Sequence, residues 1–131
     1  MIVVTCSNTL VSGNASVTSG TGNVAGSPTF SGNTMTVNLN GVTDVQKITV
    51  TLTNVTDSSA NVLPDTPVSA NMLIGDTNAN KTVNASDIGQ TAGQSGLPVI
   101  AANFRTDVNV SGTITASDIA QVKANSGNNL P

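Results

Sequence analysis

Two stretches of this chain place oxygen-bearing side chains at the same intervals. The first runs Asp76-Thr77-Asn78-Ala79-Asn80-Lys81-Thr82-Val83-Asn84-Ala85-Ser86-Asp87. The second runs Asp107-Val108-Asn109-Val110-Ser111-Gly112-Thr113-Ile114-Thr115-Ala116-Ser117-Asp118. In both, oxygen side chains fall at positions 1, 3, 5, 9 and 12. A hard divalent cation such as calcium takes about six to eight oxygens, so a chain segment must curl round it and turn alternate side chains inward. A backbone carbonyl at position 7, here Thr82 or Thr113, completes such a ring. Four of the seven acidic residues (Asp76, Asp87, Asp107, Asp118) occupy positions 1 and 12. Asx-turns are common in any asparagine-rich chain, but two copies in register argue for a metal.

The elements that must position these residues follow from a duplication. Offsetting the chain by 31 residues aligns Asp76–Gly96 with Asp107–Gly127, with ten identities in 21 positions. The spacing is that of an EF-hand calcium loop, and each copy is followed by Ile and a helix-compatible stretch. Asp87 and Asp118 should close each site from the first helical turn, and Val83 and Ile114 at position 8 should face one another across the loops. Position 6, where the backbone turns sharply and glycine is favoured, is Gly112 in the second loop but Lys81 in the first. Position 5 is Asn80 or Ser111, so each site offers two carboxylates. That predicts the weak affinity of extracellular modules, with Kd on the order of 10⁻⁴–10⁻³ M.

The duplicated pattern Gly-Asp-x-Asn-x-x-x-x-Val-Asn-x-x-Asp-Ile resembles a dockerin type I repeat, over Gly75 to about Gly127. The resemblance implies two calcium ions. Asp76, Asn78, Asn80, Thr82, Asn84 and Asp87 would hold one, and Asp107, Asn109, Ser111, Thr113, Thr115 and Asp118 the other. It also implies a protein partner, a cohesin-like domain, recognised through Ala85 and Ser86 in one half and Ala116 and Ser117 in the other. Their identity in both halves would permit two binding orientations related by pseudo-symmetry.

Upstream the period changes to two. Met35-Thr36-Val37-Asn38-Leu39 and Ile48-Thr49-Val50-Thr51-Leu52-Thr53 alternate apolar and polar residues, the pattern of half-buried strands. Val3–Thr5, Ala15–Thr18 and Val68–Leu73 read as further strands, with turns at Ser12-Gly13-Asn14, Ser19–Gly22, Ser31-Gly32-Asn33 and Asn40-Gly41. The expected fold is mainly β plus small α. An antiparallel β-sandwich over residues 1–74, resembling bacterial immunoglobulin-like surface domains, precedes a dockerin-like calcium-binding domain over 75–131.

Composition narrows the chemistry. The chain has 19 Thr, 17 Asn and 14 Ser but no His, Glu, Trp or Tyr. Histidine-assisted nucleophiles, structural zinc, haem and iron–sulfur clusters lack their ligands or bases, and the expectation is a protein that is not an enzyme. A net charge of −3 leaves no basic patch for nucleic acid. No run of about 18 apolar residues is available to span a membrane. The expected setting is extracellular or at the cell surface, with export handled by sequence outside this chain or the chain a fragment of something longer. Cys6, the single cysteine, is expected to be a small buried residue or half of an interchain disulfide. Phe30 and Phe104 are expected in the core, and Asn14 and Asn54 stay open as glycan acceptors.

Two functions fit these residues. The first is a structural subunit of a surface or filamentous assembly, self-associating head to tail, with an open sheet edge completed by a neighbour's Ile2–Thr5 or by the tail near Leu130. The second is a docking tail that anchors an exported enzyme or surface protein to a cohesin-like partner.

Overall fold

The structure is a computed structural model describing residues 1–131. It is mainly β with two helices, and divides into two compact units, residues 1–70 and 71–131.

The first unit carries strands β1 (Ile2–Thr5), β2 (Leu10–Ser19), β3 (Asn23–Val24), β4 (Thr29–Ser31), β5 (Thr34–Val37), β6 (Leu39–Asn40), β7 (Gln46–Asp57) and most of β8 (Thr66–Met72). They form three sheets of order β1-β5-β4, β2-β7-β8 and β3-β6. The pairs β1–β5, β4–β5, β2–β7 and β3–β6 are antiparallel. Alternation dictates the core: Met35 and Val37 on β5, with Val50, Leu52 and Val55 on β7 and Leu10 on β2, are buried together. Along β7 the buried positions are 48, 50 and 52, then 55 and 57. The phase switches at Asn54, whose φ of 51° lies in the left-handed region. There the register to β2 runs from Asn14↔Thr53 to Ser12↔Thr56, one extra residue on β7. This bulge turns Val55 into the core and Asp57 inward.

Several expectations change here. Ser12-Gly13-Asn14 is not a turn but lies inside β2. Gly13 serves close approach, since a Cβ there would sit 3.0 Å from Val55 Cγ2 and 3.2 Å from its Cα. Ile2–Thr5 is not free for donation to a neighbour, because it pairs with β5 of its own chain, Ile2 opposite Val37. The tail is also engaged: Leu130 is buried and its N–H donates to Lys81 O at 3.0 Å. Both segments find apolar cover within the chain, which a sequence reading of open edges does not weigh. Lys47 lies on β7, the middle strand of its sheet. The outer strands β1, β2, β4 and β8 therefore carry no charged residue. Cys6 is a half-buried free thiol packed against the core. Phe30 packs there too, but Phe104 is 57% exposed.

The second unit is built on α1 (Ala85–Gln94) and α2 (Ala116–Ala124), which pack together, with a 3-10 turn at Phe104–Thr106 between them. Asn84 and Thr115 cap the two helices, and in both a capping box forms with the acid three residues on, Asp87 or Asp118. The buried apolar residues are few: Val83, Ile114, Val122 and Leu130.

Candidate calcium loops

Both twelve-residue stretches are loops that end on the first turn of a helix, and they follow the same backbone course. Position 4 is left-handed in each (Ala79 φ 62°, Val110 φ 56°), and so is position 6 (Lys81 φ 71°, Gly112 φ 83°). Two reversals of hand within three residues curl the chain, and carboxylates hold the curl. Asp76 accepts from Asn80 N at 3.0 Å and from Lys81 N at 2.9 Å. Asp107 accepts from Ser111 N at 2.9 Å and from Gly112 N at 2.8 Å.

The oxygens at positions 1 and 3 converge. The Asn80 N–H is shared by Asp76 Oδ1 and Asn78 Oδ1, both at 3.0 Å. The Ser111 N–H is shared by Asp107 Oδ1 and Asn109 Oδ1, both at 2.9 Å. Position 5 turns toward position 7. Asn80 Oδ1 accepts from Thr82 N at 2.9 Å, and Ser111 Oγ donates to Thr113 O at 3.0 Å. The Ser111 hydroxyl thus holds the Thr113 carbonyl beside the position-5 side chain.

Positions 9 and 12 serve the helix as well as the loop. Asn84 Oδ1 accepts from Ser86 N at 2.8 Å, and Thr115 Oγ1 from Ser117 N at 3.3 Å. Asp87 and Asp118 are fully buried. Asp87 Oδ1 takes the Thr77 N–H at 2.9 Å and the Asn78 N–H at 3.2 Å, while Oδ2 takes the Asn84 N–H at 3.0 Å. Asp118 repeats the plan with Asn109 N at 3.2 Å and Thr115 N at 2.8 Å. Burial alone would raise the Asp118 pKa. The N–H groups of Thr115 and Asn109 and the Thr115 hydroxyl outweigh it and hold the carboxyl below its ordinary range. It is kept as an anion, the form a cation requires.

The donor set is all oxygen with two carboxylates per loop, and nowhere in the chain do three or more acidic or thiol groups gather. Such a set fits a hard cation of variable coordination number, calcium above magnesium or zinc. Asp76, Asn78, Asn80, Thr82 and Asp87 would hold one ion, with Asn84 at the rim. Asp107, Asn109, Ser111, Thr113 and Asp118 would hold the other, with Thr115 at the rim. The residues Ala85, Ser86, Ala116 and Ser117 are exposed on the first turns of the two helices.

Val83 and Ile114 are buried as position 8 suggests, but their backbones do not bridge one another. Gly127 N donates to Val83 O and Gly96 N to Ile114 O, both at 2.9 Å. The bridges Thr82↔Asn129 and Pro98↔Thr113 extend the exchange. Each loop is thus tied to the segment after the opposite helix, and the 31-residue offset carries one tie onto the other. A pseudo-twofold relates the halves.

Spacing did not single out three other groups. Thr77 is buried and its hydroxyl donates to Gln90 Oε1 at 2.8 Å and to Asp87 Oδ1 at 3.3 Å. Arg105 lines a cleft of about 290 Å³ with Asn71, Leu73, Asp76 and Ala79. In the β unit, Asp57 accepts from Asn8 Nδ2 at 2.6 Å and from Ser59 N and Asn61 N at 2.9 Å. The Asn61 amide foremost, then Asn8, lowers its pKa to about 2. Only the Asp57-Ser58-Ser59 run, an Asx-turn spacing, hinted at this last cluster. Comparison with protein-family models, with curated proteins and with solved structures finds no match to this chain.

Proposed function

We propose that this chain is an extracellular calcium-binding structural subunit that is not an enzyme. In this reading a dockerin-like pair of loop–helix motifs, carrying two calcium ions, follows an immunoglobulin-like β-sandwich, and copies associate head to tail into a surface or filamentous assembly. The observation that carries the calcium reading is the shared N–H in each loop, where the position-1 carboxylate and position-3 amide oxygen converge on one point. The few buried apolar residues of the 71–131 unit support coupling of ion binding to folding. Outer strands without a single charge lack the usual defence against strand pairing, which supports assembly.

The test has two parts. Titration calorimetry of the calcium-free chain should give a stoichiometry of about two, and none at all would remove the calcium reading. Electron microscopy and light scattering with calcium should show polymers, and a monomer at high concentration would remove the assembly reading.

A second reading, the docking tail for a cohesin-like partner, is favoured by one observation. Ala85-Ser86 and Ala116-Ser117 are exposed at equivalent points of pseudo-twofold halves, so one face can be presented in two orientations. A monomeric calcium-loaded chain that binds a cohesin domain, and loses binding only when both serines are changed, would establish it.

A further inference from the structure

The stretch from Leu97 to Arg105, ahead of the second calcium loop, forms an exposed apolar ridge. Leu97, Ile100 and Phe104 are 49%, 56% and 57% exposed, yet the backbone beneath them is fixed. Buried Asn103 accepts from Ile100 N at 2.7 Å and donates to Pro98 O and Gln94 Oε1, both at 3.1 Å. Phe104 N donates to Ile100 O at 2.9 Å. Arg105 follows, its guanidinium 5.8 Å from the Phe104 ring centre. Large apolar side chains held out on a stiff backbone are preorganised for contact, because little ordering entropy remains to be lost.

The β unit holds a hollow of about 250 Å³ with the opposite character. Its apolar walls are Cys6, Leu10, Val55, Val62, Leu63 and Pro64, and Asp57 stands at its polar edge. The Asn8 and Asn61 side chains and the Ser59 N–H fix that carboxylate in place.

Charge divides along the same line. Residues 1–70 contain Asp44, Asp57 and Asp65 against Lys47, a net of −2 without the terminus. Residues 71–131 contain Asp76, Asp87, Asp107 and Asp118 against Lys81, Arg105 and Lys123, a net of −1. Two bound calcium ions would bring the second unit to +3. Without calcium the two units carry the same sign, and with it they attract.

We propose that the Leu97–Arg105 ridge of one copy seats in the Asp57-edged hollow of the next, and that calcium turns this contact on by reversing the charge of the unit that carries the ridge. The proposal rests on the calcium-dependent assembly proposed above and names its two surfaces. Because ridge and hollow are different surfaces, the contact is heterologous and leaves one of each free at the ends of every open oligomer.

Ile100→Asp spoils the ridge and Val62→Asp the hollow, at side chains 56% and 60% exposed. Each variant should bind calcium as the unaltered chain does by calorimetry and keep the unaltered chain's cooperative urea unfolding of the β unit, which together show that both units are folded. In calcium each should associate at least about tenfold more weakly by light scattering. An equimolar mixture of the two should stop at heterodimers, since each keeps one intact surface and the two outer surfaces are spoiled. If the unaltered chain polymerises in calcium and both variants polymerise equally well, the ridge and hollow are not the contact, while the assembly reading stands. If the unaltered chain polymerises equally in chelator, the charge reversal is wrong. A chain that stays monomeric in calcium, alone or bound to a cohesin domain, overturns the proposal and the assembly reading together.

Discussion

Position 6 of the first loop gives a sharp test, because the second loop supplies its control. Lys81 has φ 71° where Gly112 has φ 83°. A non-glycine residue in this region costs about 1–2 kcal/mol, and glycine gives back about 0.5–1 kcal/mol through the greater freedom of its unfolded chain. Lys81→Gly should therefore stabilise the 71–131 unit by about 0.5–1 kcal/mol, since its backbone bonds to Asp76 and Leu130 need no side chain. For a unit this small that is a rise in Tm of about 3–6 °C. Removing the charge has a separate effect. A cation about 8 Å from a divalent ion in water repels it by about 1 kcal/mol, and physiological salt reduces that to about 0.4 kcal/mol. First-site affinity should thus improve about twofold. Lys81→Gln removes the charge and keeps the Cβ, so it should show the affinity gain without the full stability gain. Scanning calorimetry in saturating calcium, with titration calorimetry of the same variants, reads both, and Gly112→Lys should show the reverse. Should Lys81→Gly prove no more stable than Lys81→Gln, the backbone-strain reasoning is refuted.

Asp107→Ala should lower calorimetric stoichiometry from two to one, because it removes the carboxylate that accepts from both Ser111 N and Gly112 N; an unchanged value would contradict the ligand set. The Asp57 carboxyl titrates near 2 in the folded chain against an ordinary 3.8. Its stabilisation is complete above about pH 4 and disappears as pH falls through about 2, since protonation then favours the unfolded state. Acid unfolding of Asp57→Asn should lose that part of the pH dependence, and a profile identical to the unaltered chain would show that Asp57 does not carry it. Gly13→Ala should destabilise the β unit by about 1–3 kcal/mol in a urea titration, since the new Cβ would press on Val55 backbone and side chain; no change would mean that β2 and β7 separate there without cost.

The sequence by itself determined what is local and periodic. Alternation marked the strands that became β5 and β7, and the buried positions Met35, Val37, Ile48, Val50 and Leu52 follow from it. The duplicated oxygen spacing brought the position-1 and position-3 oxygens together, because a twelve-residue loop makes its own carboxylate-to-amide bonds. The tertiary structure decided what depends on distant neighbours. Gly13, read as a turn, became part of a strand because Val55 lies against it. Asn54 shifted the phase of β7 and turned Asp57 inward, a bulge that no pattern of residue types announces. Ile2–Thr5 and Leu130 were claimed by their own chain, and each loop was tied to the segment after the opposite helix instead of to its twin. Phe104, the type of residue expected inside, stayed outside on a backbone fixed by Asn103. Periodicity records which side of an element is apolar; only packing decides which neighbour covers it, and which apolar groups remain exposed.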